Sequence, residues 1–190
     1  MYKNLREYIA RLEQEGELVR VKTPVSTRFE IAEITDRMVK SEGGGKAILF
    51  ENTGTEVPVI TNMMGSKRRI AMALGVERLD DIAERINSLL GEALSPKGSL
   101  WEKMRMLPLL ADVAKWFPQS VSGRGECQQV VWQGDEVDLE RLPMLHSWES
   151  DGGAFVTLPM VNTIDPETGL RNVGMYRMQR FDKRTTGMHC

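Results

Sequence analysis

Cysteine is scarce in this chain: Cys127 and Cys190 are the only two in 190 residues. Neither has a CxxC partner, which excludes a disulfide framework and a zinc knuckle and fits a reducing, cytoplasmic compartment. Charge of one sign is also lacking. Twenty-five Lys and Arg side chains against 27 Asp and Glu leave a formal net charge of -2, so no positive excess exists to hold a polyanion and general nucleic-acid binding is excluded. No apolar run approaches the roughly 18 residues of a membrane span. The first ten residues already mix Lys3, Arg6 and Glu7 with apolar side chains, so neither a signal peptide nor an integral membrane segment is expected. Internal repeats and low-complexity tracts are absent as well. What is present, 41% hydrophobic and 27% charged residues, is the composition of a soluble globular protein that buries about 70% of its unfolded surface. The 12 methionines are spread along the chain at core-like positions and read as adaptable core filler.

The first half is punctuated as helices and short strands. Asn4 with Glu7 three residues on resembles a capping box, Leu5, Ile9 and Leu12 share a helical face, and Gly16 is the stop. Leu18 to Val21 reads as a strand closed by Pro24. Thr27 and Glu30 repeat the cap signature ahead of Ile31, Ile34 and Met38, and three glycines at 43–45 end that helix. Ala47 to Phe50 and Val57 to Thr61 are short apolar runs with β-branching and are expected to be strands. Ser66 is positioned to cap a helix through Ile70 and Leu74, and Ile82, Ile86, Leu89 and Leu90 form the apolar stripe of the next. From Ser95 to Pro118 prolines interrupt an apolar segment, read here as a helical connector. Beyond residue 120 the helical period disappears, and Gln128 to Trp132, Ala154 to Ile164 and Leu170 to Phe181 are expected as strands. The turn Asp165-Pro166-Glu167-Thr168-Gly169 joins the last two.

Four stretches are candidates for chemistry. The helix start Gly65-Ser66-Lys67-Arg68-Arg69 has free backbone donors and three cations that suit an anion, or it is a basic face paired with neighbouring acids, the preferred reading. Asp151-Gly152-Gly153 precedes a strand without the spacing of a phosphate loop, so turn geometry is preferred. His146 has no partner at ligand spacing and reads as a loop histidine. The segment Arg171 to Gln179 places Asn172, Tyr176, Arg177 and Gln179 inside an otherwise apolar strand, and Thr186-Gly187-Met188-His189 follows after one connection. Polar groups there need partners or a ligand. On regular alternation Asn172, Gly174 and Tyr176 share one face while Met175, Arg177 and Gln179 share the other. A single site using Asn172 and Arg177 therefore needs a twist or bulge, which Gly174 permits.

Taken in order, Leu5-Arg6-Glu7, Gly16-Glu17-Leu18-Val19-Arg20-Val21, Gly65-Ser66-Lys67-Arg68-Arg69-Ile70-Ala71, Asp151-Gly152-Gly153, Asn172-Val173-Gly174-Met175-Tyr176-Arg177 and Gly187-Met188-His189 make a set of signatures. With them the chain resembles the N-terminal part of the UbiD-type decarboxylases, the family of 3-polyprenyl-4-hydroxybenzoate decarboxylase. The resemblance implies an α/β N-terminal domain with its connector over residues 1–118. It also implies, over residues 119–190, the first part of a β-rich split-barrel domain that binds prenylated FMN. It assigns Arg177 as the catalytic arginine and places Asn172, Met175, Tyr176, Arg177, Met188 and His189 around the cofactor. Asn172 and His189 match two ligands of a divalent metal, Mn²⁺ or Mg²⁺, accompanied by K⁺. Implied partners are an aromatic or α,β-unsaturated acid as substrate, a flavin prenyltransferase as cofactor source, and further copies of the chain in a homo-oligomer. The family's third metal ligand, a glutamate, and its acidic proton donor have no match in these residues. The expectation is therefore a (de)carboxylase portion inactive alone, with a non-catalytic module or partner subunit that binds no flavin as the alternative.

Overall fold

The computed structural model describes residues 2–94 and 122–189, together with Met104, Ala111, residues 113–115 and Phe117. The expected connector from Ser95 to Pro118 thus lies mostly outside the described residues, as does Cys190. Packing divides the chain into one unit formed by residues 1–79 with 132–190 and another formed by residues 80–131. Among the described residues no helix is long and apolar enough to cross a membrane.

The first part of the larger unit is a small three-layer α/β assembly. Its elements are α1 (Leu5–Gln14), β1 (Leu18–Val21), α2 (Glu30–Val39), β2 (Ala47–Phe50), β3 (Val59–Thr61) and α3 (Lys67–Leu74). Parallel β1 and β2 pair with Leu18 opposite Ala47 and Val21 opposite Phe50, joined by the α2 crossover, and β3 runs antiparallel on the other side of β2. The central strand is buried at all four positions, as its uninterrupted apolar sequence Ala-Ile-Leu-Phe requires. Alternation sends Ile48 and Phe50 into a core with Val25 and Ile31, backed by Ile34 and Met38 of α2. Ala47 packs with Tyr8 and Leu12 of α1 and with Met72 and Ala73 of α3. Each fully buried side chain of this size contributes about 1.5–3 kcal/mol.

The caps follow the sequence at two helices and depart from it at the third. The Asn4 side chain accepts from the Glu7 amide at 3.1 Å, and Ser66 accepts from the Arg69 amide at 3.2 Å. Thr27 does not cap α2; Phe29 occupies that position with φ 68° and no side-chain bond. The cause is tertiary. The Phe29 amide donates to the His146 carbonyl at 2.8 Å and the His146 amide donates to the Thr27 carbonyl at 3.1 Å, so this segment is taken into a bridge with the second half of the chain.

The basic start of α3 is matched by acids rather than left open to an anion. Arg68 pairs with Glu15 at 2.7 Å and Glu17 at 3.0 Å. Arg69 is fully buried; its Nη1 donates to Glu17 at 2.8 Å and to the Gly45 carbonyl at 2.6 Å, while its Nε has no partner. Tyr8 donates to the Arg69 carbonyl at 2.9 Å, and burial raises its phenol pKa above the ordinary value.

The smaller unit contains α4 (Asp80–Leu94) and a 3₁₀ turn at Glu126–Gln128. The strand expected from Gln128 to Trp132 is not formed. The Gln128 side chain instead accepts from the Gly125 amide at 3.0 Å and closes a local turn, and Val130 and Val131 are exposed without a ladder partner.

After two further 3₁₀ turns at Gly134–Glu136 and Leu139–Arg141, the chain adds β4 (Phe155–Val156), β5 (Met160–Ile164), β6 (Arg171–Met175), β7 (Met178–Arg180) and β8 (Thr186–Met188). β5 and β6 form a two-stranded hairpin, while β4, β7 and β8 form a separate antiparallel sheet in the order β4-β7-β8. The hairpin turn closes as its residues predict: the Asp165 amide donates to the Leu170 carbonyl at 2.9 Å, and the Asp165 carboxylate accepts from the Glu167 amide at 2.8 Å.

Two predictions follow from these contacts. Replacing Glu17 by Ala leaves a buried guanidinium without its counter-charge and costs about 3 kcal/mol, whereas Arg68→Ala, at an exposed pair, costs under about 1 kcal/mol; urea midpoints of the two variants check the difference. The Glu167 amide first, with Thr168, holds the Asp165 carboxyl below the usual carboxylate range, and the Arg184 amide does the same first for Asp182. A lowered native pKa gives stability that is present above the unfolded value and is lost as pH falls through the native one. Both turns therefore loosen on acidification below about pH 4. In an NMR titration Asp165→Asn removes the response at the Glu167 amide and leaves that at Thr185.

Candidate functional site

A row of side chains across the β4-β7-β8 sheet builds a cleft. Phe155 pairs with Gln179, and Gln179 pairs with Gly187, so these three lie side by side on neighbouring strands. Two residues on either side of Gln179 put Arg177 and Phe181 on the same face, and two residues beyond Gly187 put His189 there. Together with Met188 they line a cavity of about 350 Å³, toward the small end of ligand sites.

Arg177 is the cation of this cleft. Its guanidinium carbon sits 3.7 Å from the centroid of the Phe155 ring, a close cation–π arrangement. Its Nη2 lies 3.4 Å from the Asp151 carboxylate, and its carbonyl accepts from the His189 amide at 3.0 Å. The ladder is interrupted at this point: β6 pairs with β5, β7 pairs with β4 and β8, and Tyr176-Arg177 is the step between the two sheets. Regular alternation ends here in a change of sheet, which puts Arg177 at the cleft and leaves Asn172 on β6 outside it.

The residues singled out in the sequence are distributed unevenly. Arg177, Met188 and His189 share the cleft, while Asn172, Met175 and Tyr176 lie on or just after β6, outside its lining. Asn172 donates to the Tyr176 hydroxyl at 3.3 Å, so the two do share a face. Between them a Cβ on Gly174 would come within 2.5 Å of the Tyr176 ring, which explains why glycine stands there. Phe155, Phe181, Gly187 and Asp151 are additional residues of the site that the polar pattern did not select. The signal for Phe155 and Asp151 was the short spacing from Asp151-Gly152-Gly153 to an aromatic. Gly187 stood in the Gly187-Met188-His189 signature, whereas Phe181 depends on strand register and carries no local signal.

The model of the 3-octaprenyl-4-hydroxybenzoate carboxy-lyase N-terminal domain matches residues 9–86, and that of the Rift-related domain of the same enzyme matches residues 119–190. The chain belongs to the UbiD family and corresponds to the N-terminal part of its members. An uncharacterized protein of Aquifex aeolicus is 47% identical over 189 residues, which are 99% of this chain and 38% of the relative. Vanillic acid decarboxylase of Sedimentibacter hydroxybenzoicus in its closed form superposes with a TM-score of 0.73 at 29% identity, over 99% of this chain and 37% of that one. The UbiD-class enzyme HmfF of Pelotomaculum thermopropionicum, in complex with FMN, gives 0.69 at 26% identity, over 98% and 36%. The chain therefore spans little more than a third of the length of these UbiD relatives.

A flavin fits the chemistry of the cleft: aromatic and thioether walls suit a planar ring, and one guanidinium suits negative charge. A divalent metal does not fit the described residues of this UbiD chain. Among them no three His, Cys, Asp or Glu side chains come together to hold an ion, and Asn172 and His189 are exposed neutral donors, one on β6 and one just past β8.

The close approach at Gly174 is directly testable. Gly174→Ala displaces the Tyr176 ring and breaks its bond to Asn172, with a cost of about 1–3 kcal/mol typical of an overpacked site. Near-ultraviolet circular dichroism and a thermal melt of the variant read both effects.

Proposed function

We propose that this chain supplies the arginine-bearing part of the site of a prenylated-FMN-dependent (de)carboxylase that acts on an aromatic or α,β-unsaturated carboxylic acid. The observation that carries the reading is Arg177, held on the Phe155 face at one wall of the cleft. Its support from relatives is that UbiD-class HmfF binds FMN in one structure and prFMN in another. Residues 1–118 act as the α/β N-terminal domain and residues 119–190 as the first part of a split-barrel cofactor domain, completed by sequence of the kind that makes the relatives longer. When bound, the prenylated flavin supplies the electron sink that makes loss of CO₂ feasible.

The residues of this chain act around that group. Arg177 receives the substrate carboxylate through its planar fork of donors and sets the acid's orientation. Phe155 and Phe181 exclude water from one side of the cleft and give an aromatic substrate a surface to stack on. Asn172, Met175, Tyr176, Met188 and His189 complete the cofactor's surroundings in this reading. Asn172 and His189 become metal ligands only where an anionic group joins them, because two neutral donors attract a hard cation weakly. Among the described residues the carboxylate at the cleft, Asp151, is engaged by Arg177, so the acid that returns a proton to the product is assigned to residues beyond these. Cofactor supply falls to a flavin prenyltransferase, and assembly into homo-oligomers in the cytoplasm belongs to the same reading.

The test loads prenylated FMN into the 190-residue chain and into the full-length protein that carries this region, then measures flavin retained through gel filtration beside CO₂ released from a panel of aromatic and α,β-unsaturated acids. In the full-length protein Arg177→Ala retains flavin and loses roughly 100-fold or more in rate, the scale of one charge-stabilising donor. Asn172→Ala and His189→Ala lose flavin first. The 190-residue chain alone releases no CO₂. Failure of the full-length protein to retain flavin at all would instead favour a non-catalytic module.

A further inference from the structure

We infer that Asp151 is the positioning residue of Arg177: with the Phe155 ring, it holds the guanidinium in one orientation and leaves its remaining donors for a substrate carboxylate. This rests on the reading of Arg177 given above, and it assigns work to the Asp151-Gly152-Gly153 loop and to His146, neither of which that reading used.

An arginine side chain has several rotatable bonds and, unrestrained, samples many rotamers. Here two contacts remove that freedom. The Phe155 ring, 3.7 Å from the guanidinium carbon, sets the plane of the group, and Asp151, 3.4 Å from Nη2, sets its rotation within that plane. Among the described residues Asp151 is the carboxylate that reaches this guanidinium, and it engages Nη2 alone. Nη1 and Nε are left as donors, which is what a second carboxylate needs.

A positioning group must itself be fixed, and the loop is tied on both sides. The Asp151 amide donates to the Trp148 carbonyl at 3.0 Å, and the Asp151 carbonyl lies 3.2 Å from His146 Nε2. On the other side Gln179 Nε2 donates to the Gly152 carbonyl at 2.7 Å, an approach so close that a Cβ on residue 152 would meet that nitrogen at 2.6 Å. His146 in turn is pinned by its two backbone bonds to Thr27 and Phe29. The Asp151 side chain is largely buried, so its charge is only partly screened by solvent.

The experiment follows the Arg177 Nε–Hε resonance in the 190-residue chain by ¹⁵N–¹H NMR, and kcat and KM in the flavin-loaded full-length protein, for Asp151→Asn, Asp151→Glu, Phe155→Leu and Arg177→Ala. In the parent sequence the resonance is shifted upfield by the Phe155 ring. Asp151→Asn moves it to the range of exposed arginines while the amides of β4, β7 and β8 stay in place, and Asp151→Glu restores it in part. In the loaded protein Asp151→Asn lowers kcat by roughly 100-fold, the scale of a misplaced reacting group, with a smaller change in KM. An Arg177 resonance that ignores Asp151→Asn overturns the inference, and so does a loss of the β4 and β7 amides in both Asp151 variants, which marks a structural role only. If the resonance moves but Arg177→Ala still releases CO₂, the positioning stands and the catalytic reading of Arg177 fails. If Arg177→Ala is inactive and Asp151→Asn has the parent's resonance and rate, the opposite holds.

Discussion

The cleft depends on how Leu145 is held. Its side chain packs against the core made by Ile31, Ile48 and Phe50, and its carbonyl accepts from the Phe155 amide at 3.0 Å. The next residue, His146, exchanges backbone bonds with Thr27 and Phe29. One short segment therefore anchors β4 to the buried face of the α/β layers. The apolar burial that stabilises β2 and α2 also fixes where the Phe155 ring lies, and with it the guanidinium of Arg177. A loss of packing at Leu145 would be felt at the cleft without any change in the residues that line it.

Charge is handled differently in the two parts of the larger unit. At the start of α3 three consecutive cations oppose the helix dipole, and the structure answers with Glu15 and Glu17 from the turn between α1 and β1. Arg69 is buried, and its role is to tie α3 to that turn and to the Gly45 carbonyl. Removing its partner costs far more than the pair contributes relative to an apolar substitute, because the uncompensated charge stays inside. At the cleft the opposite holds. Arg177 is partly exposed, has one carboxylate at a longer distance, and keeps donors in reserve. The first arrangement consumes the hydrogen-bonding capacity of an arginine for architecture and the second withholds it for a ligand.

Membership of the UbiD family adds a direction to this contrast. The relatives of known structure are decarboxylases and other UbiD-class enzymes, and a chain that covers little more than a third of them carries the arginine, the aromatic walls and the imidazole but no cluster of three metal-holding side chains among its described residues. The β5-β6 hairpin is the least supported element of the larger unit. Two strands alone are marginal in water, and Met160, Val173 and Met175 on one of its faces are exposed.

Several features were determined by the sequence itself because they are local. Helix caps at Asn4 and Ser66, the stop at Gly16, the buried run from Ala47 to Phe50 and the turn at Asp165 to Gly169 each depend on residues within a few positions of one another, where propensity and hydrogen bonding act without help from the rest of the chain. The resemblance that named the family was also legible, since it rests on motifs in order. Tertiary structure decided the rest. It overrode the Thr27 cap through the bridge to His146, closed a turn where Gln128 to Trp132 suggested a strand, and divided the expected strands Ala154 to Ile164 and Leu170 to Phe181 each between two sheets. It also brought Asp151, Phe155, Arg177 and His189 into one site and left Asn172 and Tyr176 on the hairpin. Which residues face one another across strands is set by register and by long-range contacts between distant segments, and neither quantity is encoded in any window of the sequence short enough to read directly.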